Sequence, residues 1–176
     1  MPDFADQLAR LLSDELLADL AEAPADEVRA RRRACEEVEV SLSYLRRMVQ
    51  GRLDIVEAEV ARRSGGSPGP VVEELPAILA GPPRPPGPGR LATRMEPGAS
   101  HRELTAELDR VLDPGRLAAV AELPDGELAA AASGLAALER DVSARRRALH
   151  QRMDAVQTEI VRRYRSGELS VDTVLP

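Results

Sequence analysis

Displaced by 100 residues, the chain matches itself without a gap: over 17–63 against 117–163, 17 of 47 positions are identical. "LADLAEAPADE" falls on "LAAVAELPDGE", and "EVSLSYLRRMVQGRLDIVEAEVARR" on "ERDVSARRRALHQRMDAVQTEIVRR". The shared positions include Pro24/Pro124, Glu27/Glu127, Glu39/Glu139, Ser43/Ser143, Arg46/Arg146, Asp54/Asp154, Glu59/Glu159 and Arg63/Arg163. A weaker echo sets Phe4, Leu8 and Leu12 opposite Leu104, Leu108 and Leu112. A tandem duplication constrains the fold more than any single motif, because both copies must adopt one plan and bury the same face.

That plan is helical. In each copy a short amphipathic helix (about 3–12; 103–112) leads to a second (about 14–22; 114–122), with Ser13-Asp14 and Asp113-Pro114 as start signals. A helix of about 40 residues follows from Pro24 or Pro124, with acids in its first turn where they complement the helix dipole. It ends at Ser64-Gly65-Gly66 in one copy and near Ser166-Gly167 in the other. Repeat 1 therefore occupies 1–63 and repeat 2 occupies 101–167, with a linker at 64–100 and a tail at 168–176, both repeats building one domain. The linker segment "SGGSPGPVVEELPAILAGPPRPPGPGR" holds eight Pro and six Gly in 27 residues, which predicts partial polyproline II. Its apolar middle, "VVEELPAILA", reads equally as a docking segment or as a patch within a loop.

Composition narrows the core. Aromatics are only 2% of a chain that is 43% hydrophobic, so the interior must come from Leu, Val, Ile and Ala, and 31% charge suits packed helices better than a sheet. An all-α fold is predicted, centred on an antiparallel two-helix coiled coil. The net charge of −6 argues against general binding to a nucleic-acid backbone, although all 24 basic residues are Arg. No run of about 18 apolar residues exists and the start, "MPDFADQLAR", is polar, so neither a membrane span nor a signal peptide is expected. With Cys35 as the one cysteine, a cytoplasmic protein is expected.

Two stripes run along each long helix. Val38, Leu42, Leu45, Val49, Leu53, Val56 and Val60 form an apolar seam within an arc of about 80°. Its counterpart is Leu138, Val142, Arg145, Leu149, Met153, Val156 and Ile160, interrupted by Arg145. One residue after the seam lies a polar stripe, Glu39, Ser43, Arg46, Gln50 and Asp54, with spacings of 4, 3, 4 and 4. Glu139, Ser143, Arg146, His150 and Asp154 repeat those spacings. Pairing the two seams antiparallel gives an approximate two-fold axis, and the flanking stripes can then form one shared surface. Arg offers a planar fork for phosphate or for guanine O6/N7, a carboxylate accepts from guanine N–H groups, and Ser and Gln serve phosphate or ribose hydroxyls. A two-fold dinucleotide suits such a surface.

The pattern Glu-x3-Ser-x2-Arg-x3-Gln-x3-Asp resembles the ligand-binding repeat of the RsiG family, actinobacterial anti-sigma factors that use cyclic di-GMP to hold the sporulation sigma factor WhiG inactive. The first copy matches all five positions, and the second matches four, with His150 in place of Gln. The resemblance implies two antiparallel helices that bind two molecules of cyclic di-GMP and, when loaded, sequester a WhiG-type sigma factor. It implies Arg46 and Arg146 on guanine or phosphate, and Asp54 and Asp154 on guanine edges. Glu39, Ser43 and Gln50, with Glu139, Ser143 and His150, take the remaining hydrogen bonds. His150 would still make one hydrogen bond and would add pH sensitivity. Cyclic di-GMP is then a regulatory ligand, with no resident cofactor or metal, and no homodimer is needed since one chain carries both motifs.

Plainer readings stand beside this one. The polar stripe alone would suit a coiled-coil flank, and the chain a structural adaptor without a small ligand. Arg31, Arg32, Arg33, Arg145 and Arg147 read as ordinary solvated arginines, Cys35 as a small buried side chain, and Tyr44 as a packing residue. His101 and His150 lack partners at metal-ligand spacing. Ser143, His150 and Asp154 lie along one straight helix without oxyanion donors, and no phosphate-binding fingerprint occurs, so no enzyme is expected.

Overall fold

The computed structural model describes residues 4–65, Pro76 and residues 100–168. Helix α1 spans Phe4–Leu12, α2 Ala25–Arg63, α3 Ser100–Val111, α4 Pro114–Ala118 and α5 Asp125–Ser166, with single 3₁₀ turns at Asp14–Leu16 and Val120–Glu122. Among the described residues there is no strand, and the two long helices, α2 and α5, pack against each other. The fold is all-α, as the sequence predicts. The linker with its apolar middle lies, Pro76 apart, outside the described residues through position 99.

The chain forms two compact units, and each draws on both repeats: Met1–Ser43 with Ala144–Pro176, and Tyr44–Ser143. In the first unit the early half of α2 pairs with the late half of α5, and Phe4, Leu8 and Leu11 of α1 are buried. The pairing is antiparallel, since Arg32 meets Gln157 while Glu39 meets Arg146. Ala23, Val28 and Val156 make one buried cluster, with Leu17, Leu20 and Ile160 packed on it. In the second unit Leu45, Val49 and Val56 of α2 and Leu128, Leu135, Leu138 and Val142 of α5 are buried, along with Leu108, Leu112 and Val120.

The buried line along α2 departs from the expected seam. Val28, Cys35, Leu42, Val49 and Val56 are buried at every seventh position, and so are Val38, Leu45, Arg52 and Glu59. Val60 is instead 38% exposed and Leu53 half-buried. A coiled coil alternates steps of four and three, averaging 3.5 residues per turn, whereas the expected seam takes two steps of four in succession, from Leu45 to Val49 to Leu53, and so slips by one residue. Past Val49 the seam therefore passes through Arg52 and Glu59, where Leu53 and Val60 were expected.

Buried charges need partners, and these have them. The Glu59 carboxylate accepts from Arg62 Nε (2.7 Å) and Nη2 (2.7 Å) and from Arg63 Nε (2.6 Å). Arg63 Nη1 donates to the Leu123 carbonyl (2.8 Å) and to Asp125 (2.6 Å), and Nη2 to the carbonyls of Val120 and Ala121. Repeat 2 does the same in the first unit: Glu159 receives Arg162 and Arg163, and Arg163 Nη2 donates to the carbonyls of Leu20 (2.7 Å) and Ala21 (3.1 Å). Arg52 donates to the Leu112 carbonyl and to Asp109, and Arg152 to the Leu12 carbonyl and to Asp14. These arginines donate to backbone carbonyls where the short elements end, where a helix leaves carbonyls without an intrahelical partner.

The same network sets an acid limit. Hydrogen bonds from Arg62 and then Arg63, against the opposing effect of burial, hold the Glu59 carboxyl at about 2, and Arg162 and Arg163 hold Glu159 at about 2. Both values lie below the ordinary carboxylate value, so the stability they contribute is complete above that value and is lost as pH falls through the folded one. The thermal midpoint of the full chain is expected to stay level down to about pH 5 and then fall steadily toward about pH 2. A midpoint insensitive to acid over that window would remove the network from the account of stability.

The short segments are less regular than expected. In place of a helix over 14–22, the 3₁₀ turn is followed by turns with Asp19 at φ +51°, a left-handed residue that breaks a helix. In place of a helix over 114–122, α4 stops at Ala118 and gives way to the second 3₁₀ turn. Asp113 caps α4, accepting from the backbone N–H of Gly115 (2.8 Å) and Arg116 (3.0 Å). The Ser13 hydroxyl turns back to the Arg10 carbonyl (2.8 Å) and caps nothing ahead of it.

Gly134 marks a close approach of α3 to α5, where an added Cβ would lie 2.8 Å from Val111 Cγ1. Alanine there gains about 1 kcal/mol of helix propensity but forces a stiff valine aside at about 2 kcal/mol. Chemical denaturation of Gly134→Ala is expected to show a net loss of about 1 kcal/mol. A gain would mean that Val111 yields freely.

Candidate ligand-binding site

The two polar stripes do not stay with their own repeats. The first unit brings together Glu39 and Ser43 of α2 with Arg146 and His150 of α5, and Asp154 follows one turn beyond His150 without a polar contact to them. The second brings together Arg46 and Gln50 of α2 with Glu139 and Ser143 of α5, and Asp54 follows one turn beyond Gln50 without a polar contact to them. Each motif is thus divided after its serine, and each cluster joins the head of one motif to the tail of the other.

One carboxylate oxygen organises each cluster. Glu39 Oε1 accepts from Ser43 Oγ at 2.8 Å, Arg146 Nε at 3.0 Å and His150 Nε2 at 3.2 Å. Glu139 Oε1 accepts from Ser143 Oγ at 2.9 Å, Arg46 Nε at 3.1 Å and Gln50 Nε2 at 3.3 Å. Glutamate and serine four residues apart share a helix face, and antiparallel pairing carries the arginine of the opposite motif to the same oxygen. Arg46 Nε also reaches Ser143 Oγ at 2.9 Å, a bond without a counterpart around Arg146 among the described residues. Burial works against ionisation of Glu39, but the hydrogen bonds from Ser43, Arg146 and His150 outweigh it and hold the carboxyl below its ordinary value.

Both arginines are held by Nε alone. Among the described residues, the Nη nitrogens of Arg46 and Arg146 have no partner, and the side chains are 36% and 29% exposed. The result is a guanidinium fixed from behind with its outer edge open, a geometry that suits two parallel hydrogen bonds to a phosphate or to guanine O6/N7. Asp54 is half-buried and Asp154 exposed, and neither carboxylate has a hydrogen-bond or ion-pair partner among the described residues. Burial pushes the Asp54 carboxyl up.

Several expectations are settled by this geometry. Ser143, His150 and Asp154 do not combine as a catalytic trio, because Ser143 donates to Glu139 and the His150 ring meets Glu39. Arg31 and Arg32 are not simply solvated: Arg31 Nη1 donates to the carbonyls of Leu16 and Ala18 (2.9 Å each), and Arg32 Nη1 to Gln157 (2.6 Å). Arg33 and Arg147 are exposed, and Cys35 is buried. Sequence reasoning assigned no role to Arg52, Arg152, Glu59, Glu159, Arg63 and Arg163, although each pair is identical at the repeat offset of 100. That identity at buried or half-buried heptad positions was the available signal.

Among the described residues no three His, Cys, Asp or Glu side chains are grouped to hold a metal ion, and no helix is long and apolar enough to cross a membrane. A comparison with curated protein sequences finds none that matches. The model of the RsiG-like family matches residues 14–79 and 114–176, which include the full span of both motif helices. The chain belongs to the RsiG-like family, and this membership supports an anti-sigma role.

Proposed function

We propose that the two clusters bind cyclic di-GMP and that the loaded protein sequesters a WhiG-type sigma factor, silencing sporulation genes. The observation that carries this reading is the pair of anchored arginines, Arg46 and Arg146, each with its outer edge unpartnered and an unpaired aspartate further along the same motif. An arginine that served only to bridge two helices would have no need of an open fork. Here the fork supplies donors for phosphate or the guanine Hoogsteen edge, and Asp54 and Asp154 supply acceptors for guanine N–H groups. Glu39 and Glu139 hold the arginines before ligand arrives, which lowers the ordering cost of binding.

Ligand control of the sigma factor then follows from linkage. If the sigma factor engages the loaded geometry better than the empty one, each partner raises the affinity of the other by the same factor. The rival reading is a structural adaptor, and the interhelical Arg46–Glu139 and Arg146–Glu39 pairs favour it, since such pairs flank many coiled-coil seams. Calorimetric titration of cyclic di-GMP into the full chain separates the two. Saturation at about two molecules per chain, one for each cluster, is expected. Absence of binding, both for the chain alone and with a WhiG-type sigma factor present, would leave the adaptor.

A further inference from the structure

The two clusters are not chemically equal, and the difference lies at one ring nitrogen. Gln50 Nε2 donates to Glu139 Oε1 at 3.3 Å, and His150 Nε2 meets Glu39 Oε1 at 3.2 Å in the same role. Glu39 is ionised and accepts only, so Nε2 of His150 must carry a hydrogen. The atom left over differs between the two. In Gln50 it is the amide oxygen, which only accepts. In His150 it is Nδ1, which accepts when the ring is neutral and donates when the ring is charged. Nδ1 has no partner among the described residues, and the side chain is 40% exposed.

We propose that the first unit's cluster is a proton-linked anion site: a phosphodiester bound there draws a solvent proton onto His150 Nδ1, while the Gln50 cluster binds without one. This rests on the cyclic di-GMP reading and adds which cluster is regulated and by what. The proton goes to the Nδ1 lone pair, and no bond of the ligand changes. The charged group that faces the ring from α2 is Glu39; on α5 itself Arg146 and Asp154 lie one turn to either side. Further back along α2, Glu37 is exposed, and Glu36, one turn before Glu39, is exposed and already paired with Arg32. Glu39 is the acceptor for both Arg146 Nε and the ring, so one carboxylate anchors the guanidinium and the imidazole side by side.

Two measurements decide it. Cyclic di-GMP is titrated into the full chain at about pH 6 and about pH 8, in buffers of different ionisation enthalpy. Expected are proton uptake on binding and an affinity about tenfold higher at the lower pH for one of the molecules bound. His150→Gln should abolish the uptake, and Gln50→His should add a second proton. Binding with no uptake by the unaltered chain, or uptake that persists in His150→Gln, overturns the proposal and leaves the nucleotide reading standing. No binding at either pH overturns both. The second measurement needs no ligand: ¹⁵N chemical shifts of the His150 ring in the free chain should show hydrogen on Nε2 with Nδ1 titrating, and a neutral ring with hydrogen on Nδ1 overturns the proposal.

Discussion

Glu59→Ala is expected to lower the stability of the fold by about 3 kcal/mol, a fall of roughly 10 °C in thermal midpoint for a chain of this length. Glu59 is fully buried at a seam position, and its carboxylate is the common acceptor for Arg62 and Arg63. Alanine removes the anion and leaves the Arg63 guanidinium, 22% exposed, facing an apolar gap. Removing one partner of a buried pair costs far more than the pair is worth against an apolar substitute, because the remaining charge stays desolvated. Arg63 keeps the carbonyls of Val120, Ala121 and Leu123 and the Asp125 carboxylate, which places the effect near the lower end of the range for such losses. Glu59→Gln preserves shape and one acceptor and should cost about half as much. Glu57, exposed two residues earlier, provides the control, with a change within about 0.5 kcal/mol for alanine. Denaturant unfolding of the three variants compares them directly. Equal midpoints for Glu59→Ala and Glu57→Ala would show that the buried network adds nothing to stability.

The same residues show how far a sequence can be read. The repeat, the two long helices and the polar stripes were legible because they rest on local periodicity and on identity at a fixed offset. The seam was legible through Val49 and again at Val56, but the supercoil, set by the packing of two helices, places Arg52 and Glu59 in it where Leu53 and Val60 were expected. Arg52 has its partners far off in sequence, at Asp109 and Leu112; Glu59 has its own one turn away in Arg62 and Arg63, and only the distant contacts of Arg63 to Leu123 and Asp125 tie that group to the rest of the unit. The short helices failed for the opposite reason, a local one: Asp19 adopts a positive φ that composition does not announce.

The candidate site was legible as a residue set but not as a set of pairs. Spacing placed Glu39, Ser43, Arg46, Gln50 and Asp54 along one face, which suggests that each helix offers a complete motif. Antiparallel packing does otherwise, giving Glu39 to Arg146 and Glu139 to Arg46. A helix can hold glutamate and serine together at four residues' distance, but an arginine seven residues on lies two turns away along the axis. Only the facing helix can bring an arginine to the same oxygen. Duplication therefore has a chemical consequence here: neither motif can organise its own arginine, and each organises its twin's.

That exchange makes Arg46→Ala the sharpest test of function. The substitution is expected to weaken cyclic di-GMP binding about a hundredfold, the loss of a bidentate charge-assisted contact of about 3 kcal/mol. Stability should change by less than about 1 kcal/mol, because Arg46 is partly exposed and Glu139 retains the hydroxyl of Ser143 and the amide of Gln50. Alanine is also the better helix former, which offsets part of any loss. Arg46→Lys should not restore binding: a lysine ammonium is a point charge that can occupy Glu139 or reach the ligand, but it cannot hold a carboxylate through one edge and present a planar fork through the other. Glu139→Gln should give a milder defect than Arg46→Ala, since the fork survives while its anchor loses charge. Because Glu139 belongs to the other repeat, that graded defect would also show that the twin motif positions Arg46. Calorimetric titration of the four proteins, with helicity followed by circular dichroism, checks the order. If all four bind alike, or none binds while all stay helical, the open edge of Arg46 is a coiled-coil flank and the adaptor reading prevails.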